Sequence, residues 1–192
     1  KGNASPRRRS ELRKLIEEHI NDGIIRAIAV EYQNGRNLLI GTTNLDAGAS
    51  VIWNMGRLAS SSHPAAPALF RDILLASAAI PGVFPPVMID VEFEGQRHQE
   101  LHVDGAATAQ VILYPTALGL NKSPGQKKRP TNLYVIRNAR IAPDSEEVKR
   151  NILSIAGRAI ASLINTQGTG DLSRLYLMAL TEGMDFNLAY IP

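Results

Sequence analysis

Residues 100 to 106 read E-L-H-V-D-G-A, a strand that runs straight into a turn. Side chains two apart on a strand share a face, so Glu100, His102 and Asp104 are expected on one side. Acid, imidazole and acid on one face suit zinc or another borderline metal. Successive same-face residues, however, diverge by roughly 6–7 Å, and a tight site draws its ligands from several elements. The competing reading is a partly exposed polar strand face. Asp104-Gly105 adds something to both: glycine lets the chain turn sharply, which leaves the carboxylate at the end of a strand. Strand ends are where α/β sheets build their sites, and a carboxylate there can serve as a general base. Asp-Gly is also a common turn.

Working outward, Val87 to Phe93 alternates, Glu94-Gly95-Gln96 turns, and Glu100 to Val103 resumes, which predicts a hairpin. Upstream, A-S-A-A-I-P-G-V-F-P-P (residues 76 to 86) puts small residues at a helix end before a rigid turn. Ile80, Val83 and Phe84 are candidates to line an apolar pocket. Ser77 lies in the helical run without the glycines of a nucleophile elbow, and is read as a helix hydroxyl bonded one turn back. Further upstream, L-L-I-G-T-T-N-L-D-A-G (residues 38 to 48) gathers Thr42, Thr43, Asn44 and Asp46 around a strand end. Their spacing does not distinguish orienting a catalytic loop from closing a turn.

The remaining periodicity completes an α/β pattern. Ser10 is expected to cap a helix carrying Leu12, Ile16 and Ile20. Asp22 is expected to cap another, with Ile24, Ile25, Ile28 and Tyr32 on one face and Asn34-Gly35 at its end. Leu38 to Leu45 and Val51 to Met55 read as strands, and Pro64 to Ala79 as a helix stopped by Pro81-Gly82. Leu133 to Ile136 is a short strand. Glu146 to Asn165 and Leu172 to Thr181 read as helices, and Asn121 to Pro130 as a surface loop. Strands and helices in this order imply helices packed on a mostly buried sheet.

At 192 residues, 44% of them hydrophobic, the chain is long enough for a single domain with a real core. It has no cysteine, which removes disulfides, cysteine zinc sites and thiol nucleophiles. The longest apolar stretch, Ile73 to Phe84, is broken by Ser77, Pro81 and Gly82 and falls short of a membrane span. The net charge is +3, with cationic clusters at Arg7, Arg8, Arg9, Arg13 and Lys14 and at Lys127, Lys128 and Arg129. These are read as a solvated helix face and a loop rather than as a nucleic-acid surface. No apolar segment follows the charged start K-G-N-A-S-P-R-R-R-S, which therefore does not read as a signal peptide, and no compartment is assigned.

Taken in order, G-R-x-L-L-I-G-T-T-N-L-D-A-G (Gly35 to Gly48), V-I-W-N-M-G (Val51 to Gly56), L-F-R-D-I-L-L-A-S-A-A-I-P-G-V-F-P-P-V (Leu69 to Val87) and H-V-D-G-A (His102 to Ala106) resemble the patatin-like phospholipase family. The closing F-N-L-A-Y-I-P (Phe186 to Pro192) is similar more loosely. The resemblance implies a three-layer α/β/α hydrolase that cleaves lipid acyl esters at a membrane or micelle surface, with a Ser–Asp dyad and neither cofactor nor metal. Asp104-Gly105-Ala106 matches the family's D-G-A motif, which makes Asp104 the proton acceptor. His102 is then not a third member, but supports the loop or faces solvent.

The family's nucleophile stands in G-x-S-x-G at a strand-to-helix elbow. No serine here has glycine on both sides at that spacing: Ser50 follows Gly48 but precedes Ile52, and Ser123 precedes Gly125 but follows Asn121. The Gly-rich oxyanion loop is missing as well. Residues 1–192 are therefore read as the C-terminal portion of one hydrolase domain, whose N-terminal half supplies the serine and packs against this half. Alone, the chain is expected to be inactive and poorly soluble. The alternative is a patatin-related binding or scaffold domain that has lost the elbow.

Overall fold

The computed structural model describes residues 6–109, 131–141, 145 and 147–191. It is a mixed α/β chain that divides into two compact units, Lys1–Thr108 and Ala109–Pro192.

The first unit begins with two helices, α1 (Pro6–His19) and α2 (Asp22–Gln33). Ser10 is not a cap, because α1 already runs through it. The cap of α2 is Asn21 rather than Asp22: Asn21 Oδ1 accepts the Ile24 amide at 3.1 Å, and Asp22 opens the helix as an acidic first-turn residue. Leu12, Ile16, Ile20 and Ile28 pack on the core as their spacing predicts. Ile24, by contrast, is exposed while Ile25 is buried.

Strands β1 (Leu39–Asn44) and β2 (Ala49–Asn54) form a hairpin. The chain then enters a short helix the sequence pattern did not announce, α3 (Met55–Ala59), where Asn54 Oδ1 caps the Arg57 amide at 2.8 Å. Helix α4 (Ala66–Ser77) has proline in its first turn and buries Phe70, Ile73, Leu75 and Ala76. Pro67 is the proline at that start, since Pro64 falls before the helix. A second hairpin joins β3 (Val87–Phe93) to β4 (Gln96–Asp104), pairing Phe93 with Gln96. Its turn residues Glu94 and Gly95 both have positive φ, 50° and 75°, the mirror-image turn that matches strand twist.

The two hairpins lie side by side in one antiparallel sheet, in the order β2-β1-β4-β3. Met55, Phe70, Ile73, Val87 and Ile89 are the centre of its core. Phe84 packs against that core, while Ile80 and Val83 are exposed, so the apolar trio expected to line a pocket is divided.

The second unit is a β-α-β arrangement. Strands β5 (Asn132–Arg137) and β6 (Asp185–Tyr190) are parallel, and α5 (Ile152–Glu182) connects them. Val135, Leu172 and Leu175 form its core with Leu133, Met178, Phe186 and Leu188 packed around them. The pair of helices expected here is a single helix of 31 residues that begins at Ile152, not Glu146. Gly168 and Gly170 weaken a helix but carry no steric break, and Asp171, Leu172, Leu175 and Ala179 beyond them are buried. Tertiary burial of that far stretch carries the helix through the glycines. No described helix is long and apolar enough to cross a membrane. The loop expected over Asn121 to Pro130 lies outside the described residues.

Continuity of α5 has a direct test. A Cβ at the exposed Gly170 would meet nothing within 4 Å. Gly170→Ala should therefore raise stability by about 0.5–1 kcal/mol in urea denaturation. No gain would indicate a break in the helix at that point.

Candidate functional site

Asp104 is the last residue of β4 and caps a single 3-10 turn, Gly105–Ala107. Its Oδ1 accepts the Ala106 amide at 2.9 Å. Among the described residues this is the carboxylate's only hydrogen bond, so Oδ2 keeps its lone pairs. The group is half-buried, and burial raises its pKa above the ordinary 3.8, with the Ala106 amide pulling the other way.

Both of the other segments singled out in the sequence, residues 38 to 48 and 76 to 86, reach this strand end. Strand β1 pairs with β4 over Thr42, Thr43 and Asn44 against Asp104, Val103 and His102. Thr43 Oγ1 donates to the Asp104 carbonyl at 3.0 Å and lies 2.9 Å from Thr108 Oγ1. Asp46 Oδ2 accepts the Leu101 amide at 2.7 Å, and the Leu45 amide donates to the Leu101 carbonyl. Asn44 turns the other way and closes the β1–β2 turn by accepting the Ala47 amide. Thus Thr42, Thr43 and Asp46 brace β4, an outcome their spacing had left open.

The segment after α4 contributes through its backbone. The Ala79 carbonyl accepts the Asp104 amide at 3.0 Å. Tight turns follow, with the Val83 and Phe84 amides both donating to the Ile80 carbonyl. Ser77 is the last residue of α4 and stands outside this arrangement.

Gly105 is required by close backbone approach. A Cβ there would lie 2.7 Å from the Gly41 carbonyl oxygen and 2.8 Å from its carbon. Both obstacles are backbone of β1, so a side chain could be admitted only by moving the strand.

Of the two places expected for His102, the structure excludes solvent. The side chain is wholly buried because Val87 opposite it and Trp53 beside it belong to the core side of the sheet. Its Nδ1 lies 2.9 Å from Thr42 Oγ1, and its Nε2 lies 3.1 Å from Glu100 Oε2. Glu100 and His102 do share a face. Among the described residues, no group of three or more His, Cys, Asp or Glu side chains could hold a metal ion. No protein-family model matches the chain, and no curated protein matches it.

The raised pKa sets the sign of a stability effect. The native state holds the Asp104 proton to higher pH than the unfolded chain, so stability falls as pH rises through the window above 3.8. Asp104→Asn keeps an acceptor for Ala106 and removes the buried charge. It should raise Tm at neutral pH, with the gain shrinking as the buffer falls below the ordinary carboxylate range. Gly105→Ala should destabilise by about 1–3 kcal/mol in chemical denaturation, through the collision with Gly41.

Proposed function

We propose that Asp104 is the general base of a Ser–Asp dyad in a patatin-like lipid acyl hydrolase of three-layer α/β/α fold. In this reading the serine and its oxyanion loop are carried on residues outside these 192. The observation that supports it most is the state of the Asp104 carboxylate: at a strand end, partly desolvated, braced on its backbone side, with one oxygen that no described residue engages and that can accept a hydroxyl proton.

A carboxylate of ordinary basicity is a weak partner for a serine hydroxyl, and desolvation narrows the gap. Asp104 takes the hydroxyl proton as the serine oxygen bonds to the acyl carbonyl carbon. The tetrahedral adduct collapses with loss of the lipid alkoxide, which leaves as the alcohol with the proton held by Asp104. Water then enters, and its oxygen bonds to the acyl carbon as Asp104 takes one of its protons. The adduct collapses to free acid as the serine oxygen leaves and takes that proton back from Asp104. No step calls for a metal or an organic cofactor. His102 takes no part in proton transfer in this scheme. The substrate is a lipid ester presented at a membrane or micelle surface.

The test uses the protein encoded by the whole reading frame, with a short-chain p-nitrophenyl ester and phospholipid vesicles as substrates. Asp104→Asn should lower kcat by roughly 10²–10⁴-fold on both. Unchanged hydrolysis would remove Asp104 from the mechanism. Absence of hydrolysis in the wild type, together with no upstream G-x-S-x-G, would leave the binding or scaffold domain as the reading.

A further inference from the structure

A hydrogen-bonded chain of side chains crosses three strands on the buried side of the sheet, passing through Thr42, whose backbone is paired with Asp104, and ending at Glu100. Trp53 stands on β2, Thr42 on β1, and His102 and Glu100 on β4. Its direction follows from what each group can donate. The indole Nε1–H of Trp53 can only donate, and it does so to Thr42 Oγ1 at 2.8 Å. Thr42 then has one hydroxyl proton to place, and His102 Nδ1 is 2.9 Å away. At the far end His102 Nε2 faces a carboxylate oxygen of Glu100 at 3.1 Å, an acceptor.

One proton arrangement satisfies every member. Thr42 donates to a bare Nδ1, and a protonated Nε2 donates to Glu100. With a proton on Nδ1, both Trp53 and His102 would donate into Thr42 Oγ1. The threonine hydroxyl, in a side chain with no exposure at all, would be left with no acceptor among the described residues. A buried polar group without a partner is strongly disfavoured.

Thr42 has a second role at the same place. Its backbone is paired with Asp104, while its hydroxyl reaches diagonally to His102. The seam between β1 and β4 has only three residue pairs, and Asp104 is at its end. A side-chain tie within so short a seam adds to the restraints from Thr43, Asp46 and Ala79 that resist sliding of β4 along β1.

We propose that His102 is a positioning residue: as a neutral imidazole protonated on Nε2, it hooks β4 to β1 through Thr42 and so sets where the Asp104 carboxylate stands. The catalytic use of that carboxylate rests on the dyad proposed above; the tie and its proton arrangement do not.

The experiment has a spectroscopic arm and a kinetic arm. In the wild-type protein at neutral pH, ¹⁵N–¹H correlation of the histidine rings should show His102 with a protonated Nε2 and a bare Nδ1. A proton on Nδ1, in either the other tautomer or the imidazolium, would overturn the proposal. Kinetically, Thr42→Val and His102→Leu should each lower kcat about tenfold to a hundredfold with KM unchanged, the signature of a misplaced catalytic group. Thr42→Ser keeps the hydroxyl, and His102→Asn keeps an acceptor near the position of Nδ1, so both should recover most of the loss. Folded Thr42→Val with wild-type kcat, or rescue variants no better than the disruptive ones, would also overturn it. Should Thr42→Val fail to fold, the wild-type tautomer and His102→Asn still decide the matter.

Failure of the dyad shows separately, as retained hydrolysis in Asp104→Asn. The tie is then judged by hydrogen exchange at the Asp104 amide, which donates to Ala79. Exchange should quicken in His102→Leu and return to the wild-type rate in His102→Asn; an unaltered rate in both would overturn the tie.

Discussion

Everything in the first unit depends on a short seam, Thr42–Asn44 against His102–Asp104, where the two hairpins of its sheet meet. Within each hairpin the turn specifies the register locally. Across the seam no turn does so, because more than fifty residues separate the partners. Three backbone pairs are a weak guarantee of register, and a slip of one residue would send Asp104 to the other face. The side chains of Thr42, Thr43 and Asp46 supply what the backbone lacks, each holding a different atom of β4. The Ala79 carbonyl adds a fourth restraint from the segment after α4.

This explains why polar residues are tolerated so deep in the sheet. Thr42, Thr43, Asn44 and His102 are all buried, yet each is hydrogen-bonded. A buried polar group costs little once paired and a great deal when unpaired, so such a network excludes other arrangements of the same strands. Asp104 stands at its border. It is buried enough to resist ionisation, braced through its backbone, and engaged by only one of its carboxylate oxygens among the described residues. That combination is unfavourable to stability wherever the carboxylate is ionised.

Several elements were legible because their cause is local. The alternation of Val87 to Phe93 and the Glu94-Gly95 turn produce the β3–β4 hairpin, as a positive φ at both turn residues requires. The spacing of Leu12, Ile16 and Ile20 gives α1 its core-facing stripe. Elsewhere distant contacts outweigh local preference. Separate helices over Glu146 to Asn165 and Leu172 to Thr181 are expected, but burial of Leu172 and Leu175 against β5 and β6 keeps α5 continuous. At the start of α2, Asp22 and Asn21 are both acceptable caps, and only the geometry shows that Asn21 takes the Ile24 amide.

By itself, the sequence determined that an Asp-Gly pair ends a hairpin strand, that Glu100 and His102 share a face, and that helices cover a sheet. These follow from the period of a strand, the conformational freedom of glycine and the periodicity of apolar residues. Tertiary structure alone decided what the polar residues hold. Thr42 and Asn44 are equivalent by residue class and strand face, yet one grips β4 and the other closes its own turn. For His102 the expectation is open between supporting the loop and facing solvent, and the covering of that face by Trp53, Val87 and their neighbours excludes the solvent position. The reason is that hydrogen-bond partners and desolvation are set by residues far away in the chain, and no local pattern records them.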